Sequence, residues 1–273
     1  MMTKAPTGPR RFRRPVQATV ALLLVGATLL GVSVASRHPS LSRTWDEDVR
    51  VLAGVEISGD GTVTLRNVRD WRYVRDSVVS KTYHDASFDP SDIVGVWMYE
   101  QKLDGVGLIA HTFLVFEFPE RYGPDRYLGL SVETRRELGE EYSLVGGTFR
   151  AFEVTHIWAT EQDLVTRRVQ FLDYPLTRYR VTIPADAAAR IFTKFAEETR
   201  DLAGTPRWYN TVTNNCTSSL IRYTNESEPG AIPLHYSYVL TGKTDDYLMR
   251  LGYLEPGSAL GITREYLATR ALR

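Results

Sequence analysis

From Pro15 to Ser36 the chain carries no charged side chain. Its apolar centre, Val16 to Ala35, has about the 20 residues that a helix needs to cross a bilayer. Lys4, Arg10, Arg11, Arg13 and Arg14 precede it, and no acid does. Such a basic flank stays cytoplasmic, which sends everything after Ser36 to the far side of the membrane. A cleavable signal peptide is the rival, because Ser33-Val34-Ala35 resembles a small-x-small cleavage site. The run exceeds a usual signal-peptide core in length, which favours a retained anchor. Both readings export the rest. The chain then divides into a basic cytoplasmic segment (1–14), an anchor or signal peptide (15–36), a linker (37–60) and an exported domain (61–273), with Ser58-Gly59-Asp60-Gly61 as a turn signal at the last boundary.

Lys+Arg and Asp+Glu both total 33 in the 273 residues, so the net charge is zero. A nucleic-acid binder normally carries a basic excess on its binding domain, so that class is set aside. One cysteine excludes an internal disulfide framework and any multi-thiolate zinc site. There is no Gly-rich phosphate loop and no Gly-x-Ser-x-Gly nucleophile elbow. His84 lies near Asp85, Asp89 and Asp92, but without metalloprotease spacing. No metal and no cofactor are expected.

The clearest β signal is a pair. His111 to Phe118 reads as one strand, Tyr127 to Glu133 as the next, and residues 119–126 as the loop of an antiparallel hairpin. Leu128, Leu130 and Val132 form an apolar face that should be shared with Thr112, Leu114, Phe116 and Phe118, since a one-residue slip would turn it outward. Pairing 112 with 132 places His111 opposite Glu133. Further strands are expected near 62–68, 93–100, 150–158, 167–174 and 178–183. Pro184 opens a helix through Leu202, and shorter helices should begin at Cys216 and cover 244–251 and 263–272. This predicts one α+β domain, an antiparallel sheet with flanking helices.

Cys216 is the strongest single chemical feature. Asn215 is a good N-cap, so the thiol stands at a helix mouth, where the dipole and unpaired amides favour a thiolate and an oxyanion. His111 is the candidate general base, and Glu133 would hold its tautomer. A buried inert cysteine is the alternative for Cys216, and its polar neighbours on both sides count against it. Taken singly, a strand-end histidine and a solvated carboxylate are the plainer readings of His111 and Glu133, and the cross-strand pairing is what raises them together. His156 reads as a strand residue and His235 as a loop residue with no evident partner.

Several blocks carry a resemblance. They are Gly107-Leu108-Ile109-Ala110-His111-Thr112-Phe113-Leu114, Leu130-Ser131-Val132-Glu133-Thr134-Arg135-Arg136-Glu137, Gly146-Gly147-Thr148-Phe149-Arg150 and Thr213-Asn214-Asn215-Cys216-Thr217. Asn67-Val68-Arg69-Asp70-Trp71-Arg72-Tyr73 and Tyr174-Pro175-Leu176 fit as well. In this order, over about residues 45–240, they resemble the DUF4105 family, the periplasmic domain of Lnb-type lipoprotein N-acylation enzymes. The resemblance implies a thiol-dependent acyltransferase at the outer face of a bacterial inner membrane, with Cys216 and His111 as its functional positions and Glu133 as a third. It also implies a lipid or lipoprotein substrate, and a permuted NlpC/P60, papain-like fold in which the His strand precedes the Cys helix. His156 departs from the family's pattern, standing where an apolar residue or Tyr is expected. Two rivals stay open: a cysteine amidase or peptidase of the cell envelope, and a non-catalytic envelope binding module.

Overall fold

The structure, a computed structural model, describes residues 13–272. The basic residues Lys4, Arg10 and Arg11 lie outside the described residues. The chain falls into two compact units that divide between His38 and Pro39. The first holds α1 (Arg13–Ala35), a helix of 23 residues and so about 34 Å long. Its stretch Val16–Ala35 is long and apolar enough to cross a membrane, and none of it is buried. A signal sequence has the same character.

The second unit is α+β, built on one nine-stranded sheet among the described residues. Its strands are β1 (Gly54–Ile57), β2 (Val63–Val74), β3 (Ser77–Phe88), β4 (Gly95–Lys102), β5 (Ala110–Glu117), β6 (Tyr127–Arg135), β7 (Glu153–Thr160), β8 (Leu176–Val181) and β9 (Leu260–Ile262). The order is β1-β2-β7-β6-β5-β4-β8-β9, with β3 on the other edge of β2. The expected sheet was antiparallel, and here the structure corrects the sequence: β2 and β7 meet in parallel at Arg69 and Ala159. The sheet is therefore mixed.

Alternation along β5 separates two cores. Phe116 turns toward α5 (Ala185–Gly204) and α6 (Cys216–Ser227), with Leu128, Leu130 and Val132 beside it. Phe192 of α5 touches the rings of Phe116, Phe118 and Trp158 there. Phe113 and Val115 face the other way, onto Leu164 and Val165 of α4 (Glu161–Thr166). The β5–β6 register pairs Phe113 with Ser131 and Leu114 with Leu130. Carried two residues further, it sets His111 opposite Glu133, as the apolar faces predict.

Two expectations fail. The segment 167–174 is not a strand: Arg167–Phe171 is a π-helical turn that continues α4. Leu164 and Arg168, and Val165 and Val169, are spaced four apart and buried together, which a helix satisfies and a strand does not. Residues 37–60 are more than a linker. They contain α2 (Glu47–Arg50) and β1, and Trp45, Val49 and Ala53 are buried in the folded body.

A buried ion pair fixes the parallel junction. Arg69 Nε and Nη2 donate to the two oxygens of Asp163 at 2.9 and 2.8 Å, and the Trp71 amide donates to the same carboxylate at 2.8 Å. Asp163→Ala leaves a guanidinium unpaired in the core, which costs about 3–5 kcal/mol. Urea denaturation should show that loss, with the unfolding slope unchanged if the native body stays intact.

Candidate functional site

The mouth of α6 is held by a reciprocal cap. The Ser218 amide donates to Asn215 Oδ1 at 2.8 Å, and the Asn215 amide donates to Ser218 Oγ at 2.9 Å. Asn215 Nδ2 also donates to the carbonyls of Thr211 and Tyr238. The cap is thus tied to two loops, and Cys216 follows as the first helical residue. Ser218's amide is taken by the cap, so the amides of Cys216 and Thr217 are the ones left at the helix mouth beside the sulfur.

The sulfur meets the end of β5. Its Sγ lies 3.9 Å from the Ala110 carbonyl and 4.0 Å from Thr217 Oγ1, and the His111 side chain and the Thr112 amide both act to lower its pKa. Thr241 clamps this strand end, accepting from the Ala110 amide at 2.8 Å and donating to its carbonyl at 2.7 Å.

His111 bridges the thiol to an acid network. Its Nε2 lies 2.8 Å from Ser131 Oγ and 3.3 Å from Glu133 Oε1. Ser131 Oγ donates to Glu133 Oε1 at 2.7 Å. In the imidazolium form Nε2 donates toward these acceptors and Nδ1 carries the other proton; Arg168 Nη2 also lies 2.9 Å from Nε2. Arg168, buried in the π-helical turn, donates to Glu133 at 2.6 Å and to Ser131 at 3.0 Å.

The charges explain the protonation states. Burial works against an imidazolium at His111, but the Glu133 carboxylate and the Cys216 sulfur outweigh it and push the group up to about 9. Burial also works against a thiolate, yet the His111 imidazolium holds Cys216 below the ordinary thiol range. Glu133, despite its own burial cost, is held well below the usual carboxylate range by His111 and Arg168. The three shifts run in one direction: His111 favours the thiolate of Cys216, and Glu133 favours the imidazolium of His111. All three side chains line one cavity of about 580 Å3, whose walls also carry Tyr209, Arg136 and Lys81.

The sequence model of the Lnb N-terminal periplasmic domain matches residues 80–242, more than half of the chain. The chain belongs to that family. No curated protein and no solved structure matches it. The matched span of this Lnb N-terminal domain contains His111, Ser131, Glu133, Arg168 and Cys216.

The other histidines of the Lnb domain lie apart from this network. His84 is paired with Asp125 at 2.7 Å on β3. His156 is sealed in β7 against Thr199, and burial pulls it down to about 3. His235, for which the sequence offers no partner, caps a short 3-10 turn, accepting from the Ser237 amide, and stacks on Tyr247. Sequence reasoning missed two members of the site. Ser131 had a usable signal, since it stands two residues before Glu133 and so on the same strand face. Arg168 had none: its segment reads as a strand, and only the helical turn aims it at Glu133.

Alkylation of Cys216 by iodoacetamide, followed from about pH 5 to 10, should reach half its maximal rate well below the free-thiol value of about 8.5. His111→Ala should move that midpoint upward. An unchanged midpoint in the variant would show that the imidazole does not act on the sulfur.

Proposed function

We propose that this chain is a membrane-anchored, extracytoplasmic acyltransferase that moves an acyl group from a lipid or lipoprotein ester to an amine through a thioester on Cys216. The observation that carries the reading is the meeting of Cys216, His111 and Glu133 in one cavity, with the thiol lowered and the imidazole raised. Val16–Ala35 serves as the anchor and keeps the domain beside its substrate. The chain order, a His strand before a Cys helix, supports a permuted NlpC/P60, papain-like ancestry.

The thiolate attacks the ester carbonyl carbon. A C–S bond forms while the carbonyl electrons move onto oxygen, where the amides of Cys216 and Thr217 receive the charge. Collapse breaks the C–O bond, and the alcohol leaves with the proton held on His111 Nδ1. A neutral amine then attacks the thioester, and His111 takes its proton. Breaking the C–S bond releases an amide and restores the thiolate–imidazolium pair. The net change is ester plus amine to amide plus alcohol. Glu133 and Arg168 act through His111 as positioning residues.

A cysteine amidase would use the same groups. The charged walls of the cavity, with Lys81, Arg136, Asp46 and Glu47, favour a polar peptide as its substrate. Purified protein incubated in parallel with diacylated lipopeptide and with peptidoglycan fragments separates the two. Acyl transfer predicts a Cys216 adduct in mass spectrometry whose added mass is that of an acyl group. Cys216→Ala should lose both adduct and product while keeping the wild-type melting curve. Full activity in that variant would falsify the covalent route.

The pH profile follows from the same pair. Transfer needs the thiolate, so the rate should fall at low pH as Cys216 is protonated. It also needs the imidazolium proton for the leaving alcohol, so the rate should fall again as pH rises through about 9, the value of His111. Glu133→Gln removes the charge that raises His111, and that upper limb should move to lower pH, with the maximal rate reduced at least about tenfold.

A further inference from the structure

A second cavity, of about 230 Å3, lies across β5 from the first. Met98, Leu114, Ile191, Leu220, Ile221 and Leu248 give it a mostly apolar wall, and the charged residues on its lining, Asp186, Arg190 and Glu228, neutralise one another in ion pairs. Two residues join it to the sulfur. The Thr112 amide helps hold the thiol below its ordinary range, and Thr112 lines this cavity. Thr217 Oγ1 stands 4.0 Å from Sγ, and Thr217 lines the cavity as well. The reacting atom and the apolar space are therefore one side chain apart.

The polar detail selects among occupants. Thr112 is 2% exposed, and its Oγ1 has no hydrogen-bond partner among the described residues. An orphaned hydroxyl in an apolar wall is costly unless something else pairs with it. A plain hydrocarbon supplies no partner. An alkyl chain ending in an ester oxygen supplies one, at the end of the cavity nearest the thiol.

We propose that this cavity is an acyl-chain site: it holds the fatty chain of an ester whose oxygen pairs with Thr112 and whose carbonyl is thereby presented to Cys216. The proposal rests on the reading of Cys216 as an acyl-accepting nucleophile. Binding, however, is separable from transfer.

The test measures binding of 1-monoacylglycerols of increasing chain length to the full chain carrying Cys216→Ala, by isothermal calorimetry. Each methylene buried is worth about fourfold in affinity. Affinity should climb by about that factor per carbon and level off once the cavity is full. Leu248 is half-buried on the wall, so Leu248→Trp should move the plateau to shorter chains and weaken the longest binders at least about tenfold. Leu248→Ala should move it to longer ones. Thr112→Val should weaken every monoacylglycerol by a similar factor and leave the plateau where it was. Alkylation of Cys216 in the Leu248 variants should match the wild type, which shows that the site has kept its fold. Affinity indifferent to chain length, or a plateau that neither Leu248 variant moves, overturns the proposal. Chain-length-dependent binding beside an ordinary, unreactive thiol would support the acyl site and sink the transfer chemistry alone. Indifferent binding beside a reactive thiol would sink the acyl site alone.

Discussion

The register of β5 on β6 is the constraint on which the site depends. With Phe113 opposite Ser131, the apolar residues Leu114, Phe116, Leu128 and Leu130 share one face and fill the core under α5 and α6. The same register brings His111, Ser131 and Glu133 to the opposite face at one strand end. Slipping one strand by a single residue would expose the apolar set and pull the imidazole from its carboxylate. The core therefore enforces the geometry of this cluster: large fully buried side chains such as Phe116, Leu128 and Leu130 contribute about 1.5–3 kcal/mol each to keeping it.

On that scaffold the charges alternate. Arg168, Glu133, His111 and Cys216 run positive, negative, positive and negative when the thiol is ionised. Each buried charge is costly alone, and each is offset by its neighbour. Arg168 Nη2 comes within 2.9 Å of His111 Nε2, a contact that opposes the imidazolium. Glu133 Oε1 is 2.6 Å from Arg168 and 3.3 Å from His111 Nε2, and its negative charge outweighs the repulsion between them. This is why Cys216, a residue only 5% exposed, has its thiol held below the ordinary range. An isolated buried thiol would be pushed the other way.

How much of this was legible follows from which residues signal their own surroundings. The β5–β6 pair could be read because both strands alternate and a compact loop joins them. The helix mouth at Cys216 could be read because Asn215 is a strong cap. β3 escaped notice because Ser77 to Ser87 has no period-2 apolar pattern: Val78 and Val79 are neighbours on opposite faces, and Lys81, Thr82, His84 and Asp85 follow them. β1 and the buried Trp45 were hidden inside a segment whose turn residues dominate. The parallel contact of β2 with β7 rests on one backbone pairing and on the Arg69–Asp163 ion pair, and their 94-residue separation leaves no local trace. Arg168 is the same case within the site: its role depends on a turn geometry that the sequence of the segment does not announce.

Alternation on β5 has one further consequence. His111 and Thr112 are neighbours, so a strand must send them to opposite faces, and the two cavities inherit that division. The larger one carries Lys81, Arg136 and Glu47 on its walls, chemistry suited to a polar or charged partner. The smaller has a mostly apolar surface, and the charged residues on its lining, Asp186, Arg190 and Glu228, are paired with one another. Cys216 lines the larger cavity, and Thr217, whose Oγ1 is 4.0 Å from its sulfur, lines the smaller. A transfer reaction that joins an apolar donor to a polar acceptor needs two unlike compartments opening on one nucleophile. A hydrolase acting on a single peptide needs only the first. The apolar compartment therefore weighs toward transfer between unlike substrates, and it does so through packing rather than through the charges that activate the sulfur.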